Sequence, residues 1–282
     1  MSPAQRLTEA LGGKWHGSYG AARCPVHDDG RPSLSIRDGE SDVIVHCFSG
    51  CASHTVVEVL RRRNLWPAAQ QEPRRVSPAT PTTDRNRECA LRIWGEASPL
   101  ARSLGAGYLV ARGIKLPAPP SLRWHRGLKH KPTGLTLPAM VAAIQAPDRS
   151  TCAIQRTFLS ADGTRKATVS DQKMTLGAMG HGAVRLAAAG EVLGICEGIE
   201  TGLSAMQLFS VPTWCSLGAE RLGKIELPSI VRRVVIFGDR GAEAQAERAR
   251  AAYAAEGREV EIRYPEVGKD FNDTLLARSA EA

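Results

Sequence analysis

The spacing of apolar and polar residues changes character several times along the chain. Pro3–Leu11 reads as a short helix before a Gly-rich turn, GGKWHGSYG. Ser33–Ile36 and Val43–His46 then alternate with the period of two that marks a half-buried strand, and Asp38-Gly39 supplies a turn between them. A helix is predicted over Thr55–Arg63. Residues 67–86, rich in Pro, Gln, Ser and Thr, show no apolar period and read as a flexible linker. Helical spacing returns over Arg87–Leu104 and again from Gly107 to a stop at Gly113. Strands are predicted at Leu137–Ile144, Thr151–Leu159 and Lys166–Val169, the last two joined through Ser160-Ala161-Asp162-Gly163. The final third alternates strand and helix: strand Val192–Cys196, helix Thr201–Leu208, strand Val211–Ser216, strand Val231–Phe237, helix Glu243–Ala255, strand Glu259–Tyr264. That β-α-β-α order implies a parallel sheet with helices on both faces. The expected division is 1–66, a 67–86 linker, a mixed α+β segment 87–190, and an α/β segment 191–282.

Composition narrows this picture. The 43% apolar content is that of a globular protein. No apolar run approaches the ~20 residues of a membrane span, and the N-terminus lacks the apolar core of a signal peptide, so a cytoplasmic location is expected. Seven cysteines without an even framework favour thiols or metal ligands over disulfides. The net charge of +8 is unevenly spread: residues 67–190 carry 18 Lys/Arg against 7 Asp/Glu, whereas residues 191–282 carry 11 against 15. A basic stretch beside an acidic one suits an enzyme of nucleic acids or polyphosphates.

Two groups of residues carry chemistry. Cys24-Pro-Val-His27 and Cys47-Phe-Ser-Gly-Cys51 are ligand pairs whose spacings fit a tetrahedral Cys3His zinc site at the two ends of a hairpin. His46 and His54 lie nearby as competing ligands. In a unit this small the metal is expected to supply much of the folding free energy. At the other end of the chain, Glu197, Asp239, Asp270 and Asp273 fall where strands should end, the edge at which open α/β sheets bind ligands. Oxygen donors converging there suit a divalent cation such as magnesium or manganese. Between these groups, Arg123, Trp124, Arg126, Lys129 and Lys131 mix cations with an aromatic ring, as single-stranded nucleic acid requires, and Arg156, Arg165 and Lys166 extend that basic surface. Trp124 is equally readable as a core anchor.

The knuckles, with Pro32-Ser33-Leu34 between them, resemble the zinc-binding domain of DnaG-like bacterial primases and phage primase-helicases. Glu197-Gly198-Ile199-Glu200, Asp239-Arg240-Gly241 and Lys269-Asp270-Phe271-Asn272-Asp273 resemble, in order and spacing, the Toprim domain of primases, topoisomerases and related nucleases. These resemblances imply a Rossmann-like Toprim core, a mixed middle domain and an N-terminal zinc-ribbon-like domain. They imply Glu197 and Asp239 as catalytic residues, and Glu200, Asp270 and Asp273 with them as magnesium ligands. A zinc domain of this kind helps choose where a primer begins on the template. One departure stands out: Gly241 occupies the place of the second acid of an Asp-x-Asp pair, with Glu243 the nearest substitute.

The resulting expectation is a primase of phage, plasmid or mobile-element type. It would join nucleoside triphosphates on a single-stranded DNA template, without a membrane and with a separate helicase as partner. No P-loop is present to drive an attached helicase. Gly241 keeps open a non-catalytic DNA-binding accessory protein, and the acidic cluster a metal-dependent nuclease. A topoisomerase needs a tyrosine nucleophile on a further domain, and only four tyrosines exist.

Overall fold

The computed structural model describes residues 1–39, 43–66 and 81–281. The tip of the predicted hairpin at 40–42, and residues 67–80 of the predicted linker, lie outside the described residues. The chain forms two compact units, Met1–Pro78 and Ala79–Ala282. Among the described residues no helix is long and apolar enough to cross a membrane.

In the first unit, α1 (Pro3–Ala10) precedes β1 (Lys14–Trp15), β2 (Gly20–Ala22), β3 (Leu34–Asp38), β4 (Val43–Cys47) and α2 (Ser53–Arg62). The four strands pair in sequence order, all antiparallel. Alternation in β3 and β4 sends Leu34, Ile36, Val43, Val45 and Cys47 inward. Ala4 and Leu7 of α1 and Val56 and Leu60 of α2 close over them. Gly20 is required by this packing, because a Cβ there would lie 1.9 Å from the Thr8 hydroxyl. The unit therefore has a larger apolar core than its length suggests, because both helices share it.

The second unit begins with α3 (Pro81–Glu96), β5 (Ser98–Pro99), α4 (Leu104–Ala111), β6 (Leu122–Lys129), β7 (Thr136–Gln145), β8 (Thr151–Phe158) and β9 (Lys173–Gly177). Helix α3 starts six residues before the apolar period does, so Pro81–Asn86 belong to it and not to a linker. Strands β5 to β9 form an antiparallel sheet in sequence order. The predicted strand Lys166–Val169 is absent. The turn at Ser160–Gly163 forms, but beyond it only one bridge, Leu159 to Lys166, is made, and β9 takes the place beside β8.

The chain continues through β10 (Val184–Arg185), β11 (Val192–Cys196), α5 (Ile199–Phe209), β12 (Thr213–Cys215), β13 (Arg233–Phe237), α6 (Glu243–Ala255), β14 (Glu259–Arg263) and α7 (Phe271–Glu281). The sheet order is β10-β12-β11-β13-β14; the last four are parallel and β10 is antiparallel to β12. One face, with Cys196, Val235 and Phe237, packs on α5, α7 and residues of α4, β6 and β7. The other, with Leu193, Ile195, Val234 and Ile236, packs on α6.

Candidate metal centre and candidate active site

In the first unit the donor atoms of Cys24, His27, Cys47 and Cys51 lie within 4.8 Å of one another. Four donors about 2.0–2.3 Å from a tetrahedral ion would sit some ~3.5 Å apart, so the set fits one zinc-sized cation with little adjustment. Nδ1 of His27 lies 3.2 Å from the Cys51 sulfur. The three thiols act on one another: burial acts upward on Cys47, but the N–H groups of Cys51 and Ser49 and the Ser33 hydroxyl draw it down to about 7, while burial and the neighbouring sulfurs push Cys24 up and Cys51 up to about 11. His46 does not join the cluster: it stands exposed on β4, its ring edge against Phe48. His54 is exposed at the start of α2.

In the second unit the acids gather at the carboxyl ends of the parallel strands. Glu197 follows β11, Asp239 follows β13, and Asp270 caps α7 beyond β14. The loops are tied together by the Arg240 N–H donating to the Lys269 carbonyl at 2.9 Å. Burial first, then the neighbouring charges of Glu197 and Asp270, push the Asp239 carboxyl up to about 7. Its Oδ1 is buried with no hydrogen-bond partner among the described residues. The Thr201 side chain hydrogen-bonds the same carboxyl and opposes that rise, and among the described residues the strand-end acids do not close to the donor spacing of the Cys-His cluster; what Asp239, Glu197 and Asp270 share is a negative field that a cation would relieve.

The other predicted ligands have different partners. Asp270 accepts from the N–H groups of Asn272 and Asp273 through Oδ1, a helix cap, and among the described residues no bond is made to its second oxygen. Asp273 accepts from the Lys269 N–H at 2.7 Å and packs under Gly268. Glu243, the candidate substitute for the missing acid, is exposed and accepts from the Gly241 N–H at 2.9 Å, which lowers its pKa. Gly241 itself has φ +92° and open space where a side chain would stand.

Glu200 needs the largest correction. Placed among the magnesium ligands by its spacing from Glu197, it lies instead in the buried first turn of α5, 4% exposed. Oε1 accepts the Tyr108 hydroxyl at 2.7 Å and pairs with Lys166 at 3.1 Å, and Oε2 pairs with Lys173 at 3.0 Å. Burial pushes its carboxyl upward, but Lys173, Lys166 and Tyr108 outweigh that and hold it well below the usual carboxylate range. Burial lowers Lys166, while Lys173 is raised because Glu200 overcomes desolvation. Arg112, at the end of α4, adds its charge beside Lys166, and the charge of Lys173 reaches Asp239. Three cations against one carboxylate leave a positive shelf next to the acids. Tyr108, Arg112 and Lys173 carry no motif that would have singled them out in the sequence.

The predicted nucleic-acid residues divide in the same way. Arg123 stacks on Trp94 at 4.3 Å and donates to its carbonyl; Arg156 is buried near the Phe158 ring, and Lys166 belongs to the Glu200 cluster. Lys129, Lys131 and Arg165 are exposed. Arg126 is aimed by a bulge, where it and Gly127 face Pro138 of β7. It borders a cavity of about 660 Å³ with Arg102, Leu104, Trp124, Pro138 and Ala161. Trp124 is both core and surface: half-buried, it packs on the core and over Gly105 of α4, and still borders the cavity. Neither Arg102 nor Arg126 has an ionic or hydrogen-bonding side-chain partner among the described residues.

Residues 192–281 match the family model of the Toprim domain, and that segment is a Toprim domain. Residues 84–186 match a domain of unknown function, DUF7146. No curated protein matches the chain. Among solved structures, the zinc-binding and RNA polymerase domains of the Aquifex aeolicus primase align over 100% of this chain and 81% of that one, at 15% identity and TM-score 0.48. The primase fragment of the bacteriophage T7 primase-helicase aligns over 93% and 96%, at 12% identity and TM-score 0.42. A DNA primase domain from Pseudomonas aeruginosa aligns over 70% and 75%, at 15% identity and TM-score 0.42.

Proposed function

We propose that the chain is a primase-type nucleotidyltransferase, building short primers on single-stranded DNA from nucleoside triphosphates. The observation that carries this reading is the buried Oδ1 of Asp239, which finds no hydrogen-bond partner among the described residues and lies in the field of Glu197 and Asp270 beside a surplus of positive charge. Glu197, Asp239 and Asp270 would hold magnesium or manganese, which when bound stabilises charge on the attacking and leaving oxygens of phosphoryl transfer. Lys166, Lys173 and Arg112 offer fixed cations for a triphosphate, and Glu200 keeps the two lysines from splaying apart. The cavity between Arg102, Trp124 and Arg126 offers a ring and two cations to a template strand. The Cys3His cluster, taken as a zinc site, makes the first unit the candidate reader of the template start.

A second reading has its own support. With Gly241 bare and Glu243 turned onto the Gly241 N–H, the site holds one acid fewer than an Asp-x-Asp pair provides. Fewer anionic ligands weaken magnesium binding, and a protein of this design would bind DNA without extending it. Primer synthesis from ribonucleotides on a single-stranded template, with magnesium or manganese, separates the two. Product that disappears in Asp239→Ala and Glu197→Ala supports the enzyme; DNA binding without product supports the accessory role.

A further inference from the structure

One carboxylate of the first unit has no part in the cluster of four donors, yet it contacts two of those four residues and the serine beside a third. Asp29 lies two residues after His27, and its side chain is 8% exposed. Its Oδ2 accepts from the Cys24 N–H at 2.7 Å, from the Ser33 N–H at 3.2 Å and from the Ser33 hydroxyl at 2.7 Å. Its Oδ1 faces Nε2 of His27 at 3.5 Å, on the opposite side of the ring from Nδ1 and the Cys51 sulfur. Ser33 carries the connection to the second knuckle: its carbonyl accepts the Phe48 N–H at 2.9 Å and its hydroxyl is 3.7 Å from the Cys47 sulfur.

We propose that Asp29 is the positioning residue of this metal centre, fixing the His27 ring so that the metal is taken through Nδ1, and coupling the two knuckles through Ser33. An imidazole ligates through one nitrogen, and a carboxylate facing the other favours the proton there. With Nδ1 among the sulfurs and Nε2 towards Asp29, the tautomer with hydrogen on Nε2 is the one this geometry selects. The same carboxylate holds the Cys24 amide, so one side chain orients two of the four ligands. Through Ser33 it also reaches the strand pair that delivers Cys47. The inference rests on the zinc reading of the cluster and adds which ring nitrogen binds and what holds it there.

The test is made on the full chain loaded with zinc. Long-range ¹H–¹⁵N spectra of the histidine rings, with His27 identified by its loss in His27→Asn, are expected to show a metal-bound Nδ1 and a protonated Nε2. Competition with a chromophoric chelator is expected to show zinc held about 10–100-fold more weakly in Asp29→Ala. Asp29→Asn, which keeps an oxygen for the Cys24 and Ser33 donors but loses the charge, is expected to fall between that variant and wild type. Zinc bound through Nε2 in the wild type overturns the proposal even if both variants fail to fold. Affinity within twofold of wild type in Asp29→Ala overturns it too. A wild-type chain that binds no zinc removes the metal centre itself, an outcome distinct from either.

Discussion

Replacing Glu200 with Gln separates a metal ligand from an internal counter-ion. Gln keeps the volume and an oxygen for the Tyr108 hydroxyl, so that donor is not orphaned. It removes the only charge bonded to Lys166 and Lys173 among the described residues, two ammonium groups held 3.0–3.1 Å from the carboxylate. Breaking a buried pair by deleting one partner costs ~3–5 kcal/mol. The lysine side chains are 23% and 34% exposed, so water recovers part of that, and about 3 kcal/mol is expected. For a unit of roughly 200 residues this lowers Tm by about 6–12 °C. Calorimetry of the whole chain reads that shift, and hydrogen exchange of α5 and β9 locates it. Adding Lys173→Met to Glu200→Gln should recover part of the loss, since a neutral side chain no longer needs a counter-ion. The folded carboxyl titrates below its unfolded range, so this contribution is complete above about pH 5 and fades as pH falls through and below that range. The gap between wild type and variant must therefore narrow in acid. A Tm change under about 2 °C, together with lost magnesium binding, would refute the counter-ion role and return Glu200 to the metal.

Asp239 carries the opposite linkage. Its folded pKa of about 7 lies above the unfolded value, so in the metal-free protein its contribution is most favourable below about pH 4 and is lost as pH rises to about 7. Asp239→Asn should then be more stable than metal-free wild type at pH 8 and similar at pH 4, while losing magnesium binding; calorimetry with and without the ion checks both. Arg126→Ala should weaken single-stranded DNA binding and reduce its salt slope by about 1, as loss of one phosphate contact does. Arg123→Ala, whose guanidinium is already stacked on Trp94, should leave that slope unchanged in the same titration. Gly241→Asp should tighten magnesium binding measured by calorimetry, at a stability cost of about 1–2 kcal/mol for a side chain at φ +92°.

What the sequence made legible were features set by near neighbours along the chain. The alternation in Ser33–Ile36 and Val43–His46 announced the hairpin, formed as Leu34–Asp38 with Val43–Cys47, and hairpin pairing brings the two knuckles together. The apolar runs at Val192–Cys196 and Val231–Phe237 announced strands whose ends deliver Glu197 and Asp239. Choices made by tertiary contact were not legible. Lys-Ala-Thr-Val at 166–169 and Lys-Met-Thr-Leu at 173–176 have the same polar-apolar pattern, and only the second pairs with β8. Glu200 shows the same limit: three residues beyond Glu197 is a motif position, but α5 is buried all round from Ile199 to Ala205, and its turn brings Glu200 to Tyr108, Lys166 and Lys173. A motif records spacing; the helical phase decides which side chains reach the site.

The two family models divide residues 79–282 at about residue 190, but the charges do not divide there. All the acids of the candidate site come from the later segment, and the cations beside them, Arg112, Lys166 and Lys173, come from the earlier one. The later segment alone would keep Glu200 with no counter-ion. Burying an unpaired carboxylate costs several kcal/mol, or the group protonates. The apolar core has the same connectivity, since Tyr108, Leu122 and Met140 pack into one cluster with Cys196, Phe237 and Phe271. Asn272 at the start of α7 donates to the Arg112 carbonyl at 2.7 Å, so the Asp270 cap is held in place from α4. The acidic edge of the Toprim sheet is thus held in place by the segment before it, through the Glu200 ion pairs, the Asn272 hydrogen bond and the shared apolar core, which is why Ala79–Ala282 forms one compact unit.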